Sequence, residues 1–81
     1  MSEGGEILVD ARGHRCPVPT LRLQRALDQA PAGAAVRLLA DDPMAKIDVP
    51  HFLGAKGYEL VEASSQGATL SFLARKTASE R

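Results

Sequence analysis

The spacing of two apolar runs, with a helical pattern between them, constrains the fold of this chain most. The run Glu6-Ile7-Leu8-Val9-Asp10 is short and bounded by polar residues, which is typical of a strand buried on both faces. From residue 35 to residue 40 the alternating pattern predicts a second strand. Strand, helix and strand within roughly thirty residues form a βαβ unit. These two strands should therefore be parallel neighbours joined by a right-handed crossover.

The helix between these strands should run to about Ala30 and pack one apolar stripe on the sheet. At about 100° per residue, the stripe comprises Pro19, Leu23, Ala26, Leu27 and Ala30. Its end is marked by Pro31-Ala32-Gly33, because proline cannot continue a helix and glycine relieves the turn. Its start is open, because residues before proline avoid helical backbone, so the helix begins at Pro17 or only at Pro19.

A second helix is predicted from Asp41-Asp42-Pro43, with an aspartate N-cap and proline at the first helical position. It should reach Lys56 and be closed by Gly57. Its inner arc would comprise Ala45, Val49, Phe52 and Leu53. Pro50 either kinks this helix or marks a restart capped by Asp48, and both alternatives remain open.

Two further strands are predicted over residues 58–63 and 68–75, joined by the hairpin loop Ser64-Ser65-Gln66-Gly67. The element order β-α-β-α-β-β fits an α+β two-layer sandwich, with two helices on one face of a four-stranded mixed sheet. The other face of the sheet should carry polar side chains or meet another molecule. A chain of 81 residues allows one domain over 1–81, with flexible tails expected at 1–5 and 76–81.

Composition excludes several classes of function. Ten basic and ten acidic side chains give zero net charge, so nothing in the overall charge attracts nucleic acid or a membrane surface. No apolar run approaches the roughly 20 residues of a membrane span. The single cysteine rules out an intramolecular disulfide, and no signal peptide is recognisable. We therefore expect a cytoplasmic monomer that binds neither nucleic acid nor membrane.

Cys16 is the residue most suited to chemistry. A lone cysteine is often a small core filler, but this one lies in a loop at a helix start. Arg12, His14 and Arg15 lie close to it in sequence, and no acidic residue occurs from position 11 to 27. Cations beside a thiol favour the thiolate, which is the nucleophilic form. We therefore predict a modestly lowered pKa for Cys16. We also predict that the two prolines that follow it, Pro17 and Pro19, hold the thiol rigidly outward.

Competing chemistries fit the sequence less well. Cys16 with His14 and His51 is too small a set for a closed zinc site, so no metal is expected. A cysteine hydrolase needs an oriented base, and a thioredoxin-like exchange normally needs a second cysteine. No cofactor is predicted. A single thiol without base or metal can still accept a group from one protein and give it to another.

The outer side of the first helix has two interpretations. It carries two apolar residues among arginines, namely Val18, Leu21, Arg22 and Arg25. Stray apolar residues on a solvated face are common. Alternatively, these four residues form a partner-binding surface beside the thiol.

The run from Asp10 to Pro19, Asp-Ala-Arg-Gly-His-Arg-Cys-Pro-Val-Pro, resembles the signature of the TusA/SirA-like sulfur-carrier family. In that family a strand-end Asp, a loop Gly and a C-P-x-P helix start recur. The resemblance extends to Ala40-Asp41-Asp42-Pro43, to Asp48-Val49-Pro50 and to Gly57-Tyr58-Glu59, so it covers nearly the whole chain. It implies a fold like the C-terminal domain of a translation initiation factor, and a Cys16 that carries sulfane sulfur as a persulfide.

The resemblance also implies two kinds of partner. A cysteine desulfurase or a rhodanese-like protein would donate the sulfur, and an acceptor sulfurtransferase would receive it for tRNA thiolation, molybdenum cofactor supply or sulfur oxidation. Such a chain is a sulfurtransferase-type carrier rather than a free-standing catalyst. The alternative is a regulatory or scaffold module that binds a partner through the same helix face and does not use Cys16 for sulfur transfer. RNA binding fits poorly, because only Phe52, Tyr58 and Phe72 are aromatic.

Overall fold

The computed structural model describes residues 6–76 of the chain. Its elements in chain order are β1 (Ile7–Asp10), α1 (Val18–Gln29), β2 (Ala35–Ala40), α2 (Ala45–Lys56), β3 (Glu59–Gln66) and β4 (Thr69–Arg75). The strands form one sheet in the order β1-β2-β4-β3, in which β1 pairs with β2 in parallel and the other pairs are antiparallel. Both helices cover one face of the sheet. The predicted α+β two-layer sandwich is confirmed.

The core lies between the helices and the covered face of the sheet. Every second residue of β2 points into it, and both helices contribute the apolar stripes that the sequence predicts. The fully buried positions of these elements include Leu23 and Leu27 of α1, Val36, Leu38 and Ala40 of β2, and Ala45 and Val49 of α2. Phe72 and Ala74 of β4 complete the cluster. Burial of this apolar surface is the main favourable contribution to folding.

The prediction that β1 is buried on both faces is wrong. Of its four residues only Val9 is buried, and Leu8 on the uncovered face is 61% exposed. β1 lies at the edge of the sheet, and the helices cover only one face. The continuous apolar run of β1 therefore belongs to an edge strand, one face of which is not covered by a helix.

The uncovered face of the sheet has a polar centre. Arg37 of β2 donates hydrogen bonds to Glu6 at 2.8 Å, to Glu62 of β3 at 3.1 Å and to the Ser71 hydroxyl of β4 at 2.6 Å. The hydrogen bonds and charges of the two glutamates raise the pKa of the Arg37 guanidinium above its ordinary value. One side chain thus ties three strands and the residue before β1 together on the face that carries no helix.

The start of α2 differs from its prediction. Pro43 and Met44 form a turn, and the helix begins at Ala45 with Met44 at the N-cap position. The helix then continues without interruption past Pro50 to Lys56, so the alternative of a restart capped by Asp48 is wrong. Gly57 closes it with a φ of 79°, a left-handed conformation that suits glycine, as predicted. No helix within residues 6–76 is long and apolar enough to cross a membrane.

The β3–β4 hairpin is tighter than predicted. β3 extends to Gln66, which pairs with Thr69, so Gly67 and Ala68 alone form the turn in place of the predicted four-residue loop. Two-residue turns are the commonest hairpin connections and favour glycine at positive φ. Lys76, placed in the loose tail by prediction, is tied to Ala34 by a backbone hydrogen bond of 2.9 Å. The predicted tails at 1–5 and 77–81 lie outside the described residues.

Candidate functional site: the Cys16 loop

Cys16 lies in the loop between β1 and α1, directly before Pro17, the N-cap residue of α1. The Cys16–Pro17 peptide bond is cis. The helix begins at Val18, between the two starts that the sequence left open, and Pro19 occupies its second position. Proline is tolerated there because the first backbone N–H groups of a helix have no intrahelical acceptor. The Val18 N–H donates to the Arg15 carbonyl oxygen at 2.9 Å, which closes the loop.

Two aspartates fasten this loop to the connection between β2 and α2. Because β1 and β2 are parallel neighbours, their carboxyl ends lie at the same edge of the sheet, and the two connections that follow them meet there. The Asp41 carboxylate accepts the Gly13 N–H at 3.0 and 3.1 Å. Oδ2 of Asp42 accepts the Cys16 N–H at 2.8 Å, and Oδ1 accepts the Met44 N–H at 3.1 Å. These donations lower the pKa of Asp42.

The sequence suggested that the thiol is held outward, but the structure does not place it so. Cys16 is half-buried and packs against the hydrophobic core. Burial, which disfavours the thiolate, is the main cause that raises the pKa of Cys16 above its ordinary value. A hydrogen bond to the Asp48 carboxylate, with the negative charges of Asp48 and Asp42, acts in the same direction, while Thr20 acts in the opposite one. The prediction of a lowered pKa is therefore wrong.

The arginines near Cys16 in sequence have other contacts in the fold. The Arg12 guanidinium forms an ion pair with Asp10 at 2.8 Å, and these bonds from Arg12 lower the pKa of Asp10 to about 2. Nη1 of Arg22, on α1, donates to the Asp10 backbone oxygen at 2.8 Å. Among the described residues, the groups that shift the pKa of Cys16 are Asp48, Asp42 and Thr20, and none of them is an arginine. Sequence proximity therefore did not indicate the charges that surround the sulfur.

The remaining residues of the predicted thiolate environment lie on the surface of the loop. His14 and Arg15 are exposed, and Pro17 is exposed at the helix entrance. Pro19, in contrast, is fully buried and belongs to the core. Among residues 6–76, no three side chains of the types His, Cys, Asp and Glu are grouped so that they could hold a metal ion.

Thr20 is a polar residue of the site that the sequence did not single out. It lies in the first turn of α1, and its hydroxyl oxygen Oγ1 is buried without a hydrogen-bond partner among the described residues. Leaving a buried polar group unpaired typically costs about 1–3 kcal/mol, so such groups are rare in folded proteins. A hydrogen bond from this side chain to the charged form of Cys16 lowers the pKa of the thiol.

The four residues of the predicted partner-binding surface lie together on the outer side of α1. A shallow groove of about 290 Å³ is lined by Val18, Leu21, Arg22 and Arg25. Leu21 in this groove is 56% exposed. The groove begins two residues after Cys16 along the chain. The structure thus brings the four predicted residues together in one groove, and the role of this groove in docking stays a prediction.

Sequence reasoning missed several residues that surround the thiol. Asp42 was recognised only as a helix-start signal and Asp48 only as a possible cap, whereas both act on Cys16 from the next connection and helix. Asp42 lies 26 positions from Cys16, and no local pattern indicates a contact at that separation.

Comparisons with known proteins agree with this arrangement. The family model described as sulfurtransferase TusA matches residues 7–76, from the start of β1 to the end of the described chain. The chain belongs to the TusA family. It is 31% identical over 78 residues to the sulfur carrier protein TusA of Pseudomonas aeruginosa strain LESB58, which covers 96% of this chain and 99% of that protein. Over 73 residues it is 30% identical to the protein of the same name from Pseudomonas putida strain F1, covering 90% and 91% of the two chains.

A solved SirA-like protein has the same architecture. The crystal structure of the SirA-like protein from Desulfitobacterium hafniense aligns with a TM-score of 0.77 at 25% sequence identity. The alignment covers 88% of this chain and 97% of that chain. The resemblance that the sequence motifs indicated is therefore confirmed at the level of family and fold.

Proposed function

We propose that this TusA-family chain is a sulfur carrier that takes sulfane sulfur onto Cys16 as a persulfide and passes it to an acceptor protein. The observation that carries the proposal is the placement of the only cysteine at the entrance of α1, half-buried in a loop fastened by Asp41 and Asp42. A donor can approach a thiol held in this way from a defined direction. The curated relatives are named as sulfur carriers, which supports the same role.

The transfer needs one cysteine and no oxidant. The Cys16 thiolate attacks the outer sulfur of a donor persulfide, R–S–SH, and a new sulfur–sulfur bond forms on Cys16. The bond between that sulfur and the donor breaks, and its electron pair leaves with the donor as R–S⁻. Delivery is the same exchange in reverse, with an acceptor thiolate attacking the outer sulfur of the Cys16 persulfide. The oxidation state of the transferred sulfur is conserved throughout.

The raised pKa of Cys16 assigns part of the chemistry to the partner. At neutral pH the free carrier holds mostly thiol, which is a poor nucleophile. A docking donor that brings a cation near Asp48, or displaces this carboxylate from the sulfur, increases the thiolate fraction. The carrier is then more reactive in the complex than between partners.

The partners we propose are a cysteine desulfurase or rhodanese-like donor and an acceptor sulfurtransferase, both in the cytoplasm. Val18, Leu21, Arg22 and Arg25 would form the docking surface, since the groove that they line opens beside the Cys16 loop. Apolar side chains surrounded by arginines are typical of protein–protein interfaces. The sulfur would then serve tRNA thiolation, molybdenum cofactor supply or sulfur oxidation.

The test is intact-mass measurement after incubation with a cysteine desulfurase and cysteine. Wild-type protein should gain the mass of one sulfur atom that is removed by a reducing thiol, and Cys16→Ala should gain none. Since the chain contains one cysteine, added sulfur on a thiol can only be on Cys16. Equal addition to both proteins, or none to wild type with any donor, would refute the proposal.

A regulatory or scaffold role is the second candidate, and the half-burial of Cys16 favours it. In that case the thiol is only a packing group. Cys16→Ser would then leave cellular function intact, while Leu21→Glu or Arg25→Glu would abolish it. A sulfur carrier gives the opposite result for Cys16→Ser, because a hydroxyl cannot hold a sulfane sulfur.

A further inference from the structure

Among residues 6–76, the Thr20 hydroxyl is the buried side-chain polar group that has no hydrogen-bond partner. A threonine hydroxyl has one proton to donate and two lone pairs that can accept. In the part of the chain that the structure describes, Oγ1 of Thr20 uses none of them, and it is closed to solvent. A buried hydroxyl with no partner calls for a reason, because such groups destabilise the fold.

The usual local partner is not used. A threonine in a helix often donates to the backbone carbonyl four residues earlier, which for Thr20 is the carbonyl of Cys16. The Thr20 hydroxyl makes no such hydrogen bond. Its proton therefore remains available on the side of α1 where the Cys16 sulfur lies.

We propose that Thr20 is a catalytic residue, whose hydroxyl donates a hydrogen bond to the Cys16 sulfur when that sulfur carries negative charge during transfer. This inference rests on the proposed function, because sulfur exchange at Cys16 is the reaction that the hydroxyl would assist. The anion forms twice in a cycle. In acceptance it is the attacking thiolate, and in delivery it is the leaving group that keeps the electron pair of the broken sulfur–sulfur bond.

The surroundings of the sulfur make a neutral donor valuable. The titratable groups that act on Cys16 are the carboxylates of Asp48 and Asp42, with Arg15 acting on Asp42 from the loop. Both carboxylates favour the protonated thiol. Thr20 acts against them, since its hydroxyl lowers the pKa of Cys16. A fixed donor aimed at developing negative charge lowers the barrier without reorganisation during the reaction.

Two variants of Thr20 separate the effect of the hydroxyl from the effect of the side-chain shape. Thr20→Val replaces the hydroxyl by a methyl group on the same branched side chain, and Thr20→Ser keeps the hydroxyl. Thr69→Val on β4 is the matched control for a threonine-to-valine change away from the loop. One measurement is the rate of alkylation by iodoacetamide as a function of pH. The other is the rate of sulfur uptake from glutathione persulfide, followed by intact mass.

Thr20→Val should raise the pKa of Cys16 and slow sulfur uptake by about 10-fold to 100-fold, the effect of one hydrogen bond to a charged group. Thr20→Ser should stay within about threefold of wild type. The same Thr20→Val change should raise Tm by about 4–8 °C, because it removes a buried polar group without a partner. A residue with a merely structural role would not slow the thiol while stabilising the fold.

The proposal is overturned if Thr20→Val and wild type share one alkylation profile and one rate of sulfur uptake. It is also overturned if Thr20→Ser is as slow as Thr20→Val. Should Thr20→Val not fold, the comparison of Thr20→Ala with Thr20→Ser decides by the same criteria. If wild type accepts no sulfur from any donor, the proposed function fails, whereas the alkylation profiles still report on Thr20 separately.

Discussion

Leu21 and Leu23 lie two positions apart on α1, yet truncating them should change the stability by very different amounts. Leu23 is fully buried in the core, while Leu21 is 56% exposed on the outer side of the helix. A buried leucine truncated to alanine loses about 2–5 kcal/mol, through lost transfer energy and the cavity that remains. For a domain of 81 residues the whole free energy of unfolding is about 4–12 kcal/mol. Leu23→Ala should thus remove about a sixth of the stability or more.

A loss of about 3 kcal/mol corresponds to a fall in Tm of about 12–24 °C for a domain of this size. Leu21→Ala should change the free energy of unfolding by no more than about 0.5 kcal/mol, because a surface position loses few contacts. Urea unfolding followed by circular dichroism measures both, and the slope with denaturant should be unchanged. Equal losses in the two variants would refute the assignment of the two faces of α1.

Three further predictions concern the charges around the loop. Asp48→Asn should lower the pKa of Cys16 and speed its alkylation at neutral pH, because a carboxylate that favours the thiol is removed; an unchanged pH profile would contradict this. Asp10, whose pKa is lowered to about 2 by Arg12, contributes stability that is present above its ordinary pKa and lost as the pH falls through about 2. The Tm difference between wild type and Asp10→Asn should therefore shrink between about pH 4 and pH 2, and a constant difference would refute the ion pair's role. Arg25→Glu should leave Tm within a few degrees of wild type. It should slow sulfur transfer from a protein donor but not from glutathione persulfide, and equal slowing with both donors would contradict a docking role.

Much of the fold follows from local patterns. The bounds of β2 are Ala35–Ala40, as the alternation of side chains predicts, and the stripe through Leu23 and Leu27 is buried. Helix ends that depend on one residue, such as the end of α2 at Gly57, could be predicted equally well. The exposure of β1 could not be predicted in this way. An apolar run such as Ile7-Leu8-Val9 looks the same in sequence whether its strand lies at the edge of a sheet or in the centre. Edge position is set by the strand order, which is a property of the whole chain.

The candidate site was predictable in its centre and not in its surroundings. The C-P-x-P run placed Cys16 at a helix entrance, as the structure does. The electrostatics depend on long-range contacts, since Asp42 and Asp48 reach the thiol from another part of the chain. Arg12 and Arg22 are directed to Asp10, because the strand end offers a carboxylate and a carbonyl oxygen at short range. Local charge counting therefore predicted the wrong direction for the pKa of Cys16.

A pulse–chase measurement of sulfur on Cys16 tests the carrier role most directly. The protein is loaded from a cysteine desulfurase with isotopically labelled cysteine, freed of donor, and mixed with a candidate acceptor sulfurtransferase. Peptide mass spectrometry then locates the label over time. The account predicts that labelled sulfur appears on Cys16, disappears on addition of the acceptor, and is recovered on the acceptor. Label that never reaches Cys16, or that remains there in the presence of every acceptor of this class, would contradict it.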